Sequence, residues 1–181
     1  MQTNKTRSAT PLDECRVYVG TYGKYNNGSI FGKWVELSDF DSQEDFYNFC
    51  KGLHKDEEDP EFMFQDFEAP EIFEGLIHES GFREDLWELS ELLEDEDIDM
   101  IAAYIQATGS KLDSDTIEQA KDSFYGRFDS DTDLAHEYVE ITGLLHGMPE
   151  TVERYFDYEA FGRDLAFDFM EFNGYYFFSN Y

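Results

Sequence analysis

Apolar residues recur along this chain with two periods, near 2 and near 3.6, in stretches that succeed one another. Residues 16–22 are rich in Val and Tyr and predict a strand. A turn is expected over 23–28, where Asn26-Asn27-Gly28 stands, and a second strand over 30–37. Asp41-x-x-Glu44 and Ser42-x-x-Asp45 both resemble capping boxes, so a helix should begin there, with Phe46, Phe49, Cys50 and Leu53 at helical spacing. Phe62, Phe64 and Phe67 suggest a short third strand, followed by a loop broken at Pro70. The pattern then turns helical. Phe82, Leu86, Leu89 and Leu93 form one stripe. Ile98, Ile101, Ala102 and Ile105 form another, stopped at Gly109. Asp115-x-x-Glu118 should open a third helix, with Ile117, Ala120 and Phe124 inward. A fourth is expected from about Thr132, with Leu134, Tyr138 and Ile141 inward and Gly143 as its C-cap.

The C-terminal stretch returns to mixed structure. Pro149 suits the start of a short helix carrying Val152, Tyr155 and Phe156. Residues 167–172 and 175–181 read as strands joined by Asn173-Gly174, the strongest short hairpin signal. The fold class is therefore α+β, as three small domains after a disordered lead over residues 1–14. A sheet with a helix is expected at 15–78, a helical middle at 79–125, and a hairpin or sheet with helices at 126–181. Small units joined in a row would make an elongated chain.

Charge changes this picture most. The chain of 181 residues holds 42 Asp+Glu against 13 Lys+Arg, a net charge of -29, yet 18% of it is aromatic. A chain so acidic with few large apolar residues would remain disordered. Here 18 Phe, 12 Tyr and 2 Trp can build a core, so the acid is expected as the surface of a fold. Residues 36–99 alone carry 24 acids against Lys51, Lys55 and Arg83. The acid is interleaved with apolar residues and is no tail.

Little else in the sequence carries chemistry. His54, His78, His136 and His146 are scattered and read as surface or packed residues. Cys15 and Cys50 read as free thiols, Cys50 on the apolar side of its helix. No phosphate loop, nucleophile elbow or Cys-x-x-Cys is present. Asp129, Asp131, Asp133 and Glu140 fit four positions of a calcium loop, but Leu134 stands where that loop needs Gly. The alternative for those acids is the first turn of a helix, where they complement the macrodipole. No cofactor, no metal and no catalytic residue is expected. With no apolar leader or membrane-length run, a cytoplasmic protein with no membrane partner is expected.

The acidic surface itself remains. It could serve solubility or salt tolerance, or it could imitate DNA. Duplex DNA carries one charge per ~1.7 Å of axis, so 42 carboxylates would dress roughly 70 Å, about 20 base pairs. Acids at i and i+3 or i+4 on a helix stand ~5–6 Å apart, close to the ~7 Å between phosphates on one strand. The candidate phosphate-mimicking acids are Asp56, Glu57, Glu58, Asp59, Glu61, Glu71, Glu74, Glu84, Asp85, Glu88, Glu91, Glu94, Asp95, Asp97, Asp99, Asp129, Asp131 and Asp133. A runner-up is an acidic binding protein that shields another basic partner, such as a histone-like protein.

Two segments resemble a known family. Val17-Tyr18-Val19-Gly20-Thr21-Tyr22-Gly23-Lys24-Tyr25-Asn26-Asn27-Gly28, with Gly32-Lys33-Trp34 after it, is similar to the start of the ArdA antirestriction proteins. Tyr138-Val139-Glu140-Ile141-Thr142-Gly143, Pro149, and Tyr155-Phe156-Asp157-Tyr158-Glu159-Ala160-Phe161-Gly162-Arg163-Asp164-Leu165 resemble its C-terminal signature. The resemblance implies an elongated, curved, three-domain bacterial homodimer that is not an enzyme. Its carboxylates would stand where DNA phosphates would, in the DNA-binding groove of type I restriction–modification enzymes, against their specificity and modification subunits, with no direct binding to nucleic acid. It also implies mobile genetic elements as carriers. Residues 144–158 match the family's antirestriction motif, so Leu144, Leu145, Met148, Val152 and Phe156 would supply a dimer interface. His146-Gly147 departs from that motif.

Overall fold

A computed structural model describes residues 10–179 and divides the chain into two compact units, Met1–Ile98 and Asp99–Tyr181. The fold is mixed α+β, as expected, with eight α-helices and three small antiparallel sheets among the described residues.

The first unit is built on a three-stranded sheet of order β2-β1-β3, from β1 (Arg16–Thr21), β2 (Lys33–Glu36) and β3 (Phe62–Glu68). Val17 and Val19 are buried on β1. Gln65 is an extra residue on β3, because Tyr18 pairs with Asp66 and Val19 with Phe64. Met63 and Phe64, neighbours on opposite faces of this strand, are both buried, so the sheet is covered on both sides there, while Phe67 is exposed. Between β1 and β2 lies a short helix, α1 (Tyr22–Asn26), where a turn was expected. The Thr21 hydroxyl caps it by accepting from the Lys24 amide at 3.2 Å. The second strand is shorter than the predicted 30–37, and Ile30 and Phe31 are exposed in the loop before it.

Helix α2 (Gln43–Leu53) starts on Ser42, whose hydroxyl accepts from the Asp45 amide. Phe46 and Cys50 are fully buried beneath it, whereas Phe49 lies at the surface under the Lys33 ammonium. Phe46 is the hub of the unit, with rings of Phe40, Tyr47, Phe64, Phe82 and Trp87 packed around it. Phe82 is not on a helix, despite its place in the stripe. It belongs to β5 (Gly81–Phe82), paired with β4 (Ile77–His78). Gly81 has φ 156°, which breaks any helix there. Helix α3 (Leu86–Leu92) begins only after Asp85, with Leu86 and Leu89 buried, as is Leu93 just beyond it.

Part of the expected disordered lead is ordered. Pro11–Glu14 form a 3-10 turn with Leu12 buried, and the Thr10 amide donates to the Asp13 carboxylate at 2.8 Å. Leu12 is apolar surface the core removes from water. Residues 1–9 of that lead lie outside the described residues.

In the second unit, α4 (Ile98–Thr108) and α5 (Ser114–Ser123) pack against a three-stranded antiparallel sheet. The buried face of α4 is Met100, Ile101, Ala103 and Tyr104, rotated from the predicted stripe. Asp113, not Asp115, caps α5. Phe124 leaves the helix and opens β6 (Phe124–Arg127), a strand the periodicity did not show. Asn173 and Gly174, at φ 53° and 83°, join β7 (Phe169–Phe172) to the central β8 (Tyr175–Phe178) as predicted. Residues 180–181 of the predicted return strand lie outside the described residues.

Leu134, Leu165, Phe169 and Tyr176 form a core cluster that joins the sheet to α6 (Asp131–Thr142) and, beyond the short α7 (Glu150–Arg154), to α8 (Tyr158–Leu165). The two helices meet at Gly162, where a Cβ would press into the Asp131 backbone. Gly143, at φ 64°, closes α6. The Leu144 amide bonds the Val139 carbonyl and the Gly143 amide the Glu140 carbonyl, a Schellman motif. Ile141 is 65% exposed, against expectation. It lies two turns from Leu134 on the same side, but the packed part of α6 ends at Val139.

Candidate functional site

Every one of the 42 acids falls within the described residues, and none is buried: 37 are exposed and five half-buried. A buried ionised carboxylate is costly unless paired, so the core is left to aromatic and aliphatic side chains. Met1–Ile98 carries 25 acids against 8 bases, and Asp99–Tyr181 carries 17 against 5. Both units thus present a strongly negative surface.

The eighteen candidate acids divide by environment. Asp56, Glu58, Asp59, Glu61, Glu71, Glu74, Glu84, Glu88, Glu91, Asp95, Asp97, Asp99, Asp129 and Asp133 are exposed. Glu57, Asp85, Glu94 and Asp131 are half-buried. Glu88 and Glu91 project from α3 one turn apart, and the next turn carries Glu94 and Asp95. Asp95 adopts φ 62°, a left-handed conformation that Asp tolerates better than most residues.

Several candidates also do local structural work. Arg83 holds Asp85, with Nη2 to Oδ2 at 2.8 Å, and its hydrogen bond keeps that carboxyl below the usual range. Asp131 accepts from the Tyr176 hydroxyl at 2.8 Å. Burial first, then that bond, pushes the Tyr176 phenol up. Asp133 accepts from the Ser130 hydroxyl, and Ser130 caps α6. Leu134 is fully buried on α6, so Asp129, Asp131 and Asp133 belong to a helix start that favours negative charge. No group of three His, Cys, Asp or Glu is placed to hold a metal ion among the described residues.

The loop after α2 is the most organised acidic segment. Lys24 donates to Asp56 Oδ1 at 2.8 Å and lies 3.4 Å from Glu57 Oε1. The Lys24 hydrogen bond holds the Asp56 carboxyl below its ordinary value. Thr21 donates to Glu57 at 2.7 Å, and the Tyr22 amide bonds the Glu61 carbonyl. Glu58, Asp59 and Glu61 are left facing water.

Periodicity alone could have found further acids. Asp133, Glu137 and Glu140 stand at i, i+4 and i+7 on the exposed side of α6.

The candidate apolar residues sit elsewhere. Leu144, Met148 and Val152 are exposed, while Leu145 and Phe156 are half-buried. Phe156 packs against Tyr158 and Phe161, with ring centroids 4.9 and 5.3 Å away. Ile141 and Tyr155, exposed at 65% and 77%, extend the same stretch and were not among the candidates. The two thiols are inert: burial pushes both Cys15 and Cys50 up to about 12.

Among the described residues no helix is long and apolar enough to cross a membrane. No curated protein matches the sequence. A family model does: that of the antirestriction protein ArdA matches residues 17–178 of the 181, and the chain belongs to the ArdA antirestriction family.

Proposed function

We propose that this chain is a DNA mimic that inhibits type I restriction–modification enzymes. It occupies the DNA-binding groove formed by their specificity and modification subunits and so blocks restriction, with modification open to the same block. The observation that carries this reading is the placement of all 42 carboxylates outside an aromatic core. DNA-binding proteins gain affinity as Lys and Arg replace the counterions around phosphates. Carboxylates fixed on helices and a pinned loop meet the same basic groove with little left to organise. No base sequence is needed, so inhibition extends over many type I enzymes.

The proposed unit is a homodimer through the apolar stretch around Leu144, Met148 and Val152. On the charge estimate two chains match about 40 base pairs. Three consecutive small domains per chain, at 15–78, 79–125 and 126–181, would lay the charge along that length. The protein acts in the bacterial cytoplasm, where the target enzymes work.

A competition assay tests the reading. The protein is titrated into a type I methyltransferase bound to labelled duplex DNA at several salt concentrations. The expected result is stoichiometric displacement that weakens as salt rises. No displacement from enzymes of several type I families would overturn it and leave the shielding of another basic protein as the better account.

A further inference from the structure

Lys24 of the first unit has its side chain largely covered, at 14% exposure, beside the acidic loop. Its ammonium group has three protons to donate, and three acceptors stand around it. These are Asp56 Oδ1 at 2.8 Å, Glu57 Oε1 at 3.4 Å and His54 Nδ1 at 2.9 Å. The Phe31 ring lies 4.7 Å away on the fourth side. An ammonium group has no lone pair, so His54 must accept at Nδ1 and carry its proton on Nε2. That Nε2–H faces the Val19 carbonyl of β1 at 3.3 Å. His54 is fully buried and therefore serves as a neutral seat for the cation.

The consequence reaches along the chain. Asp56 and Glu57 are engaged within the chain by Lys24 and Thr21, Glu57 half-buried and Asp56 still exposed at the surface. The Glu57 amide bonds the His54 carbonyl, and Glu61 is tied through its own carbonyl to Tyr22. Both ends of the acidic run are thus anchored to residues 21–24, and Glu58, Asp59 and Glu61 project from it.

We propose that Lys24 is a positioning residue of the acidic surface: it uses Asp56 and Glu57 as internal anchors so that Glu58, Asp59 and Glu61 are held ready for a basic groove. This rests on the DNA-mimic reading for its purpose, but not for its geometry. The idea makes a prediction of opposite sign to plain electrostatics. Removing one positive charge makes the protein more negative, which should tighten its hold on a basic partner. If Lys24 positions the loop, removing it weakens that hold.

The groups that face His54 are Lys24 from α1, Asp56 and Glu57 from the loop, the Val19 carbonyl from β1, and the rings of Phe31 and Phe62. Burial, which comes first, and Lys24 lower its affinity for a proton, against the Val19 carbonyl and the two acids. The anchor is therefore intact above the ordinary histidine value of 6.5 and is lost as pH falls from there through the depressed folded value. A second proton on His54 would remove the acceptor and set two cations side by side.

The experiment compares wild type with Lys24→Met and Lys51→Met, which change the charge equally; Lys51 is exposed on α2. Amide exchange protection of residues 55–61 is measured on each protein alone, and displacement of duplex DNA from a type I methyltransferase is measured beside it. The expected result is a loss of loop protection in K24M only, with displacement weakened roughly three- to tenfold. In wild type, loop protection should also fall as pH drops below 6.5, and His54→Gln should flatten that dependence. Loop protection unchanged in K24M, or displacement as strong as wild type, overturns the proposal. If K24M does not fold, Asp56→Asn with Glu57→Gln removes the same anchors, and retained loop protection there overturns it equally. A wild type that displaces no DNA sinks the mimic reading alone, since the exchange data still decide whether Lys24 holds the loop.

Discussion

The loop over 55–61 and the stretch over 141–156 differ in a way that runs against their composition. The loop is almost wholly charged, yet it is tied at Asp56, Glu57 and Glu61 to the residues before and within α1. The stretch holds Ile141, Leu144, Met148, Val152 and Tyr155, and all five are exposed. One cation, one hydroxyl and two backbone bonds tie this charged segment to its neighbours. Apolar side chains are fixed only by contact with others, and here the chain supplies too few. The first segment is complete within one chain; the second has the character of a surface that gains by being covered.

That contrast can be broken from either side. The largest effect is expected from Leu144→Asp with Met148→Asp. Covering each apolar side chain contributes ~1.5–3 kcal/mol, so the pair should weaken the proposed dimer about 100-fold or more, read by light scattering against concentration. The unfolding midpoint of the dissociated chain should scarcely move, because neither residue is in the core. A double variant that stays dimeric places the interface elsewhere.

Next in size is Gly162→Ala, which forces α8 away from the Asp131 backbone and should cost ~1–3 kcal/mol in chemical denaturation. Unchanged stability would mean the two helices do not meet so closely in solution. Neutralising Glu88, Glu91, Glu94, Asp95 and Asp99 together to their amides should weaken enzyme binding about tenfold, or ~1.4 kcal/mol, and flatten its salt dependence. Isothermal titration would show it, and Glu88→Gln alone should lie within about twofold of wild type. Abolition of binding by that single change would refute a distributed surface. On the loop side, Thr21→Val removes the hydroxyl that caps α1 and donates to Glu57. It should cost ~1 kcal/mol. Thermal melts equal to wild type would mean the anchor contributes nothing.

How far these two segments were legible in the sequence follows from the distance over which their causes act. Ser42, Gly109, Gly143 and Asn173-Gly174 act within a few residues, and the elements they bound are where the pattern put them. Phe82 keeps perfect helical spacing with Leu86, yet Gly81 and the pairing with Ile77 place it on a strand. Strand β6 exists because Phe124 meets Phe177, 53 positions later. Exposure of the acids was readable, since ionised groups avoid the core wherever the chain goes. The hold of Lys24 on Asp56 was not, because the partners lie 32 residues apart and nothing in either local pattern names the other. Ile141 failed in the opposite sense: its periodicity is that of a buried residue, and only the end of the packed core leaves it outside.

That no acid is buried has a last consequence for the ions around the molecule. Like charges spread over one surface repel across distances comparable to the Debye length, about 10 Å at 0.1 M salt. Unfolding lets them move apart, so dissolved salt should raise the melting temperature of each unit. The same salt weakens attachment to a basic groove. A cell's ionic strength would therefore set a compromise: ions that make the fold more durable are the ones that would loosen the proposed hold on a basic groove.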